Sequence, residues 1–321
     1  MIKKECFTAE WIEQVSSELH YNDKNLIEKV IRALSLLEML VKAGCPLVFK
    51  GGTALMLILG KSAHRLSIDI DVICPPGTNI EDYLKSFADF GFINLELVER
   101  KQRDDADIPK SHSKFFYQIA YRNDTDAQSY ILLDVLYEDI HYFRTQQIAI
   151  NCPFIRLEGK PLMVTVPSAE DILGDKLTAF APNTTGIPYY RNGRSCSMEI
   201  AKQLYDVGRL FENVSDLQIT KEAFRKIAVV ELSYRSFGTD IGQVFNDIRQ
   251  TALCISTRGK AGEGDFDLIQ DGIIRVKSFM YKQRYLIDHA IIDAARAAYL
   301  ATLIEKGINE IESYSNNPAD I

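Results

Sequence analysis

The chain has 321 residues, of which 46% are hydrophobic and 25% are charged. These proportions are typical of a globular protein of about two domains, and they exclude a chain that is disordered throughout. The formal net charge of −7, from 37 basic and 44 acidic residues, disfavours a protein that coats nucleic acid without sequence preference. A local basic track would still allow nucleic acid to be a substrate.

The N-terminal half alternates predicted helices with predicted strands. Asp23 is a candidate N-cap, and apolar residues at helical spacing follow it as far as Val41. Later runs alternate in polarity, as strands do, and polar stretches typical of hairpin loops separate them. The predicted helices are 25–42, 53–59 and 79–89, and the predicted strands are 46–50, 67–74, 93–100, 114–122 and 129–137.

After Val166 the pattern changes to helical periods. The run from Ser168 to Asp171 resembles a capping box and begins a predicted helix that ends near Phe180. The sequence thus predicts an α+β fold, with a mixed sheet and flanking helices over residues 1–165 and an all-helical domain over residues 166–321. The later predicted helices are 198–211, 221–233, 240–257 and 285–306.

The cysteines and the apolar runs bear on the compartment. Six cysteines are scattered singly, with no CxxC pair and no metal-site spacing to the five histidines. The first residues lack the apolar run of a signal peptide, and no apolar stretch reaches the roughly 18 residues of a membrane span. We therefore expect a reduced, cytoplasmic protein with no membrane partner.

The clearest chemical signal comes from Asp69 and Asp71, in the alternating run SIDIDVIC. Residues two apart on a strand project from one face, with Cα atoms about 6.5–7 Å apart. Two like charges that close are unfavourable unless a cation lies between them, and Mg²⁺ with oxygen ligands fits. The alternative is that both carboxylates lie on the solvated face of an edge strand, which is the better interpretation of an isolated DxD motif.

Two neighbouring features favour the metal interpretation. Gly51 and Gly52 separate a predicted strand from a predicted helix, where backbone N–H groups and the helix N-terminus favour a phosphate. Asp134 lies in the otherwise apolar run YILLDVLY, and burial of its carboxylate without a partner would be costly. Taken singly, each has an ordinary explanation, because Gly-Gly turns are common for steric reasons and Asp134 could face outwards from a half-exposed strand.

The combined string K-G-G-T-A-L … R-x-S-x-D-x-D resembles the first motif of the AbiEii/AbiGii-type toxin nucleotidyltransferases. This family belongs to the nucleotidyltransferase superfamily with a DNA polymerase β-like core. The resemblance covers roughly residues 45–210, and it implies a nucleotidyltransferase-like sheet domain whose cleft the helical domain completes. The matching residues are Lys50–Leu55, Arg65, Ser67, Asp69 and Asp71.

The resemblance extends into the helical half. Lys176 matches a family lysine near the start of the helix after the sheet, and Asp206 matches an acidic residue of a later helix. It implies that Lys176 binds the β- and γ-phosphates as a point charge, and that Asp206 orients a nucleophile or holds Lys176. Without the resemblance, Lys176 would be an exposed helix lysine, and Asp206 would pair on the surface with Arg209 or Lys202.

The same resemblance implies roles for the remaining site residues. Arg65 is expected to contact the triphosphate or to pair with Asp71, and Arg191 or Arg194 fits a basic position that the family often has. The histidines His64, His112 and His141 are interpreted as structural or surface residues. The expected catalytic set is Asp69, Asp71, Asp134, Lys176 and Asp206, with Asp69, Asp71 and Asp134 as the Mg²⁺ ligands. The expected NTP-binding set is Gly51, Gly52, Thr53, Arg65, Ser67 and Lys176.

The function implied is a Mg²⁺-dependent nucleotidyltransferase that moves an NMP from an NTP to an acceptor hydroxyl. By the same resemblance it is the toxin of a toxin–antitoxin or phage-defence pair, with RNA or tRNA as the acceptor and a cognate antitoxin as a partner. The alternatives are transfer to a protein or a small molecule, and a non-catalytic interaction protein with the same fold.

An RNA acceptor would need a basic track despite the negative net charge. Basic residues cluster in the helical half, and we expect several of them to line the wall of the cleft that faces Asp69 and Asp71. The candidates are Arg191, Arg194, Lys202, Arg258, Lys260, Arg275, Lys277, Lys282 and Arg284.

Overall fold

The computed structural model describes residues 1–98, 109–122, 127–235, 238 and 240–312. Within them, the N-terminal half forms a mixed sheet with helices against it, and helices dominate after residue 168. The helices are α1 (Ala9–Leu19), α2 (Lys24–Lys42), α3 (Gly51–Leu59), α4 (Ala169–Ala179), α5 (Ser197–Phe211), α6 (Leu217–Ser233), α7 (Ile241–Ser256), α8 (Phe266–Val276) and α9 (Ile287–Lys306). The strands are β1 (Val48–Lys50), β2 (Ile70–Cys74), β3 (Asn94–Val98), β4 (Lys110–Gln118), β5 (Gln128–Tyr137), β6 (Thr145–Ala149), β7 (Met163–Pro167), β8 (Tyr190–Arg191) and β9 (Arg194–Ser195).

The main sheet has the strand order β1-β2-β5-β4-β3. Only the β2–β5 pair is parallel, and the other three pairs are antiparallel. One face of the sheet buries apolar side chains beneath α2, whose N-cap Asp23 accepts a hydrogen bond from the Leu26 N–H at 3.0 Å. The predicted α+β fold, a mixed sheet followed by helices, is confirmed.

The buried apolar side chains fall into two large clusters. The first draws on residues 2–166 and Tyr281, and the second draws on residues 172–304 and Leu55 of α3. A small third cluster joins β1, β2 and β5 to Ile227 of α6, so a C-terminal helix covers part of the second face of the sheet. The division into two domains at about residue 165 stays a prediction.

A late segment of the chain pairs with the segment that precedes β2. Arg65 and Met280 form an isolated antiparallel bridge, the Leu66 N–H donates to the Phe279 carbonyl at 2.8 Å, and the Tyr281 N–H donates to the His64 carbonyl at 3.0 Å. We call residues Phe279–Tyr281 the strap. This pairing takes the chain before β2 away from the main sheet, which explains why β2 begins at Ile70 rather than at the predicted residue 67.

The predicted helix at 79–89 was wrong. This segment forms two separate 3₁₀ turns, Ile80–Tyr83 and Phe87–Phe90. Side chains of α2 bind the backbone at the end of the second turn, since the Ser35 hydroxyl donates to the Phe90 carbonyl at 3.0 Å. Tertiary contacts of this kind override a helical period in a short segment.

Several elements have weak sequence signals and were not predicted, namely α1, α8, the β6–β7 pair and the β8–β9 hairpin. Short strands and amphipathic helices depend on packing partners that a local pattern does not contain. None of the helices among the described residues is long and apolar enough to cross a lipid bilayer.

Candidate active site

Four side chains lie in one row across the second face of the main sheet. Register partners place Lys50 of β1 opposite Asp71 of β2, Asp71 beside Asp134 of β5, and Asp134 opposite His112 of β4. Register partners share a face of the sheet, so the two carboxylates project side by side. The structure thus brings Asp71 and Asp134 together, as the sequence predicted.

Asp69 directly precedes β2 and is exposed, so it lies outside the ladder of the sheet. Its position is fixed through the backbone, because the Thr53 hydroxyl donates to the Asp69 carbonyl at 2.7 Å. Thr53 itself is fully buried in α3. The Thr53 hydroxyl is therefore committed to the segment that carries Asp69, and the predicted role of Thr53 in NTP binding stays a prediction.

Two carboxylates of this site, Asp69 and Asp71, have raised pKa values. Burial raises the pKa of Asp71 to about 7, and the charges of Asp134 and Asp69 add to that rise. Partial desolvation of the Asp69 carboxylate also raises its pKa, although the residue as a whole is exposed, and the charge of Lys202 opposes this rise. Nearby lysines therefore do not compensate these carboxylates fully, and a cation between them would be stabilised.

Gly51 and Gly52 begin α3 and lie directly against the site. Gly51 has φ +77°, and a Cβ there would lie 2.0 Å from Oδ2 of Asp71. A Cβ on Gly52 would lie 2.6 Å from the Ser67 hydroxyl oxygen. Only glycine allows the backbone of this turn to approach both side chains so closely, which is the geometry that phosphate-binding turns use.

Lys50 connects the turn to the helical half. Its Nζ lies 3.5 Å from Oδ2 of Asp175, which also accepts a hydrogen bond from the Tyr142 hydroxyl at 2.8 Å. Burial would raise the pKa of Asp175, but the Lys50 ammonium holds it below its usual value. Sequence reasoning missed Asp175, although it directly precedes Lys176 in the segment EDILGDKL.

A buried ion cluster lies between α3, α4 and α5. The Arg65 guanidinium donates to both carboxylate oxygens of Asp206, at 2.8 and 2.7 Å from Nη2. Lys176 Nζ lies 3.0 Å from the same carboxylate and donates to Gln203 at 2.9 Å. Burial alone would raise the pKa of Asp206, but the two cations hold it below its usual value.

This cluster decides between the sequence alternatives for its members. Asp206 is 2% exposed and Lys176 is 7% exposed. Lys176 is therefore not an exposed helix lysine, and Asp206 does not pair on the surface. Asp206 does hold Lys176. Arg65 pairs with Asp206 and not with Asp71, so that alternative is corrected.

His112 was interpreted as a structural or surface residue, and this interpretation was incomplete. Its Nδ1 lies 2.5 Å from Oδ1 of Asp134, and the side chains of His112 and Asp134 are 29% and 31% exposed. The antiparallel register of β4 and β5 creates this contact. Because the two residues are 22 positions apart, no local spacing could have revealed it.

Of the nine basic residues predicted to line the cleft, Lys202 acts directly on Asp69. Burial and the charge of Arg65 lower the pKa of Lys202 to about 8, and its ammonium lies 3.8 Å from the Phe279 ring centroid. Arg258 pairs instead with exposed Asp288, and Arg275 lies 3.7 Å from Asp271. Arg191 and Arg194 are exposed on the β8–β9 hairpin.

The donor set fits a hard divalent cation in its chemistry. Asp69, Asp71 and Asp134 offer carboxylate oxygens, and burial together with the charges of neighbouring carboxylates raises the pKa values of Asp69 and Asp71. Among the described residues, however, no group of three or more His, Cys, Asp or Glu is gathered closely enough to hold a metal ion alone. Mg²⁺ is commonly bound by one or two carboxylates together with water and substrate phosphates, so a substrate phosphate would complete such a site.

A family model described as "Nucleotidyl transferase AbiEii toxin, Type IV TA system" matches residues 34–295. The chain has no match among proteins of curated function. Among solved structures, JHP933 from Helicobacter pylori is 16% identical, with 96% of this chain and 95% of that chain covered and a TM-score of 0.42. MenT4, a nucleotidyltransferase toxin from Mycobacterium tuberculosis, is 14% identical, with 92% and 89% covered and a TM-score of 0.46.

Proposed function

This chain belongs to the AbiEii family of nucleotidyltransferase toxins, and we propose that it transfers an NMP from an NTP to a hydroxyl group of RNA, with tRNA as the favoured acceptor. The observation that carries the proposal is the single row in which Asp71 and Asp134 lie side by side, with Asp69 directly before β2. The Gly51–Gly52 turn lies directly against this row. Carboxylates beside a phosphate-binding turn are the parts that nucleotidyl transfer requires.

In this proposal the triphosphate of the NTP binds beside the Gly51–Gly52 turn. Gly51 and Gly52 present backbone there, and the Ser67 hydroxyl lies against Gly52. Lys176 and Arg65 supply positive charge from the buried ion cluster, in which Asp206 orients both cations. Cations fixed in this way need no reorganisation when negative charge develops on the leaving pyrophosphate.

The acceptor hydroxyl belongs beside Asp134, at the opposite end of the carboxylate row. Asp134 takes up the proton of the attacking hydroxyl, and His112 fixes the orientation of its carboxylate. Asp69, Asp71 and Asp134 are the residues that would hold Mg²⁺, which when bound stabilises charge on the attacking and leaving oxygens. Attack on the α-phosphorus forms the new phosphodiester bond and releases pyrophosphate.

The decisive experiment mixes the purified chain with Mg²⁺, each α-radiolabelled NTP in turn, and total cellular RNA. We expect label on RNA with the wild-type chain and none with Asp69→Asn. Label on protein or on small molecules would replace the proposal with a different acceptor class. No label on any acceptor would support a non-catalytic interaction protein with the same fold.

We further propose a cognate antitoxin as the partner of this chain in the cell, because toxin–antitoxin pairing is part of the family description. Expression of the chain alone should arrest growth, and co-expression of the neighbouring gene should relieve the arrest. Arrest that persists with every neighbouring gene would contradict this partner. Arrest by Asp69→Asn equal to that by the wild type would separate toxicity from nucleotidyl transfer.

A further inference from the structure

The second face of the main sheet continues past the catalytic row. Alternate residues of β5 share that face, so Leu132 and Tyr130 follow Asp134 along the strand, while Ile131 and Leu133 are buried on the other face. At about 3.3–3.4 Å per residue, Tyr130 lies roughly 13 Å from Asp134 along β5. The sheet thus carries apolar and aromatic side chains directly beside its carboxylates.

Two aromatic rings and two lysines meet at the far end of this surface. The Phe116 and Tyr130 rings lie 5.7 Å apart between centroids, and Tyr130 is 43% exposed. Lys29 Nζ and Lys114 Nζ each lie 5.6 Å from the Tyr130 ring centroid. We call Lys29, Lys114, Phe116, Tyr130 and Leu132 the Tyr130 platform.

The lysines of the platform are available to a ligand. Lys114 lies 3.3 Å from Glu96, but Glu96 is half exposed, and ion pairs of this kind contribute little. Lys29 is close enough to the catalytic row for its charge to act on Asp69. The platform therefore adjoins the catalytic site electrostatically as well as through the register of the strands.

The position of the platform indicates which substrate it faces. The phosphate-binding turn lies at the β1 side of the carboxylates, whereas the platform lies on β5 and β4 at the other side. The proposed hydroxyl acceptor, next to Asp134, is on the platform's side of the row. Tyr130 lies four strand residues from Asp134, so the platform faces a nucleotide that lies beyond the one next to the reacting nucleotide.

We propose that the Tyr130 platform binds the single-stranded end of the RNA acceptor, with one base stacked on Tyr130 and with Lys29 and Lys114 contacting the flanking phosphates. This inference rests on the proposed function and names the surface that receives its acceptor. Exposed aromatic rings on a sheet, flanked by cations, are a common means of binding unpaired bases. An aromatic pair that served only the sheet would need no lysine at either side of the ring.

The test measures binding of a fluorescent oligouridylate by anisotropy, with the full chain and without NTP. Tyr130→Leu keeps an apolar side chain suited to a strand but removes the ring, and should weaken binding by about 5- to 150-fold, the range of one base stacked on an aromatic ring. Tyr130→Phe should bind as the wild type does. Tyr190→Leu is the matched control, because Tyr190 is 57% exposed on the β8–β9 hairpin, which is not part of the main sheet, and it should also bind normally.

The charge component has a separate readout. Lys29→Gln and Lys114→Gln should each reduce the slope of log affinity against log salt by roughly 0.7, as expected for one lost phosphate contact to a single strand. These two variants decide the matter if thermal denaturation shows that Tyr130→Leu is unfolded. Unchanged slopes together with unchanged affinity in Tyr130→Leu would overturn the proposal.

Two further outcomes separate this inference from the proposed function. If Tyr130→Leu raises the KM for NTP and leaves RNA binding unchanged, the platform holds the donor base and the acceptor assignment is wrong. The wild type could transfer no label and still bind RNA, while Tyr130→Leu binds RNA more weakly. In that case the proposed function fails and the RNA-binding role of the Tyr130 platform stands.

Discussion

Two groups of carboxylates in this chain are close in space and opposite in electrostatic character. Asp206 is buried with Arg65 and Lys176 within hydrogen-bonding distance, and these cations hold its pKa below the usual value. Asp71 lies beside Asp134, no cation among the described residues is in comparable contact with it, and its pKa rises to about 7. One carboxylate is fully compensated by the protein, and the other is not.

The difference indicates what each group does. A compensated buried carboxylate stabilises the arrangement of its own partners, so its loss is felt first in folding and in the position of Lys176. Carboxylates held together against their repulsion store unfavourable energy in the free protein, which a bound cation releases. The second arrangement is the one typical of a functional site.

The largest expected effect is on activity. Asp69→Asn and Asp71→Asn should each reduce nucleotidyl transfer by about 10²-fold or more, because both remove a charge that a metal-assisted reaction requires. The thermal stability of both variants should be equal to or above that of the wild type. Asp267→Asn, at an exposed position on α8, is the control that should retain full activity. Near-normal transfer by either site variant would remove the carboxylate row from the mechanism.

The compensated group should behave in the reverse way. Asp206→Asn leaves Arg65 and Lys176 buried without their counter-ion and should reduce the free energy of unfolding by roughly 3–5 kcal/mol. Asp288→Asn removes the exposed partner of Arg258 and should cost about 1 kcal/mol or less. Chemical denaturation of the three proteins measures both values. Equal stability of the two variants would show that burial does not distinguish these ion pairs.

The contact between His112 and Asp134 allows a finer test of the row. His112→Asn should reduce transfer by about 10-fold, with KM for NTP nearly unchanged, because it frees the orientation of Asp134 without touching the Gly51–Gly52 turn. His20→Asn, at an exposed helix end, provides the control. Steady-state kinetics separate kcat from KM. A change in KM alone would place His112 on the nucleotide side of the site.

The smallest expected effect is a pH dependence of stability in metal-free protein. The pKa of Asp71 in the folded chain is about 7, above its usual value near 4. The folded state therefore binds this proton more tightly than the unfolded state, and the stability that Asp71 confers is lost as the pH rises from about 4 to 7. Asp71→Asn removes this loss, so its Tm should exceed that of the wild type by a few degrees at pH 8 and by less at pH 5.

Thermal melts across this pH range in the presence of a chelator measure the difference. Addition of Mg²⁺ and NTP should then raise the Tm of the wild type and not that of the variant. Parallel melting curves at every pH would contradict the raised pKa of Asp71.

The sequence predicted helix caps and strand faces, because neighbouring residues in the chain determine these features. Asp23 and Ser168 cap helices as predicted, and the alternation around Asp71 correctly places Ile70 and Val72 on the buried face of a strand. Lys50, Asp71 and Asp134 come together on one face of the sheet, and the Gly51–Gly52 turn lies against Asp71 and Ser67. Their catalytic roles and the metal stay predictions, because geometry alone does not test them.

Long-range pairing determined what the sequence did not reveal. The contact between His112 and Asp134 follows from strand register, and the bidentate pair of Arg65 and Asp206 joins residues 141 positions apart. Thr53 belongs to the motif string, yet its side chain is buried because α3 turns that position towards Asp69. A motif specifies which residue types are present, whereas packing decides which of them face the cleft.

The strap determines when, during synthesis of the chain, the segment before β2 can fold. Residues 279–281 pair with residues 64–66, directly before Ser67 and Asp69, and the Tyr281 hydroxyl donates to the Ala63 carbonyl. During translation the residues of the motif leave the ribosome more than 200 positions ahead of this partner. A growing or prematurely terminated chain therefore contains every motif residue while it still lacks the strap, which pairs with Arg65. The segment before β2 can take up its position in the folded chain only after residue 281 has been synthesised.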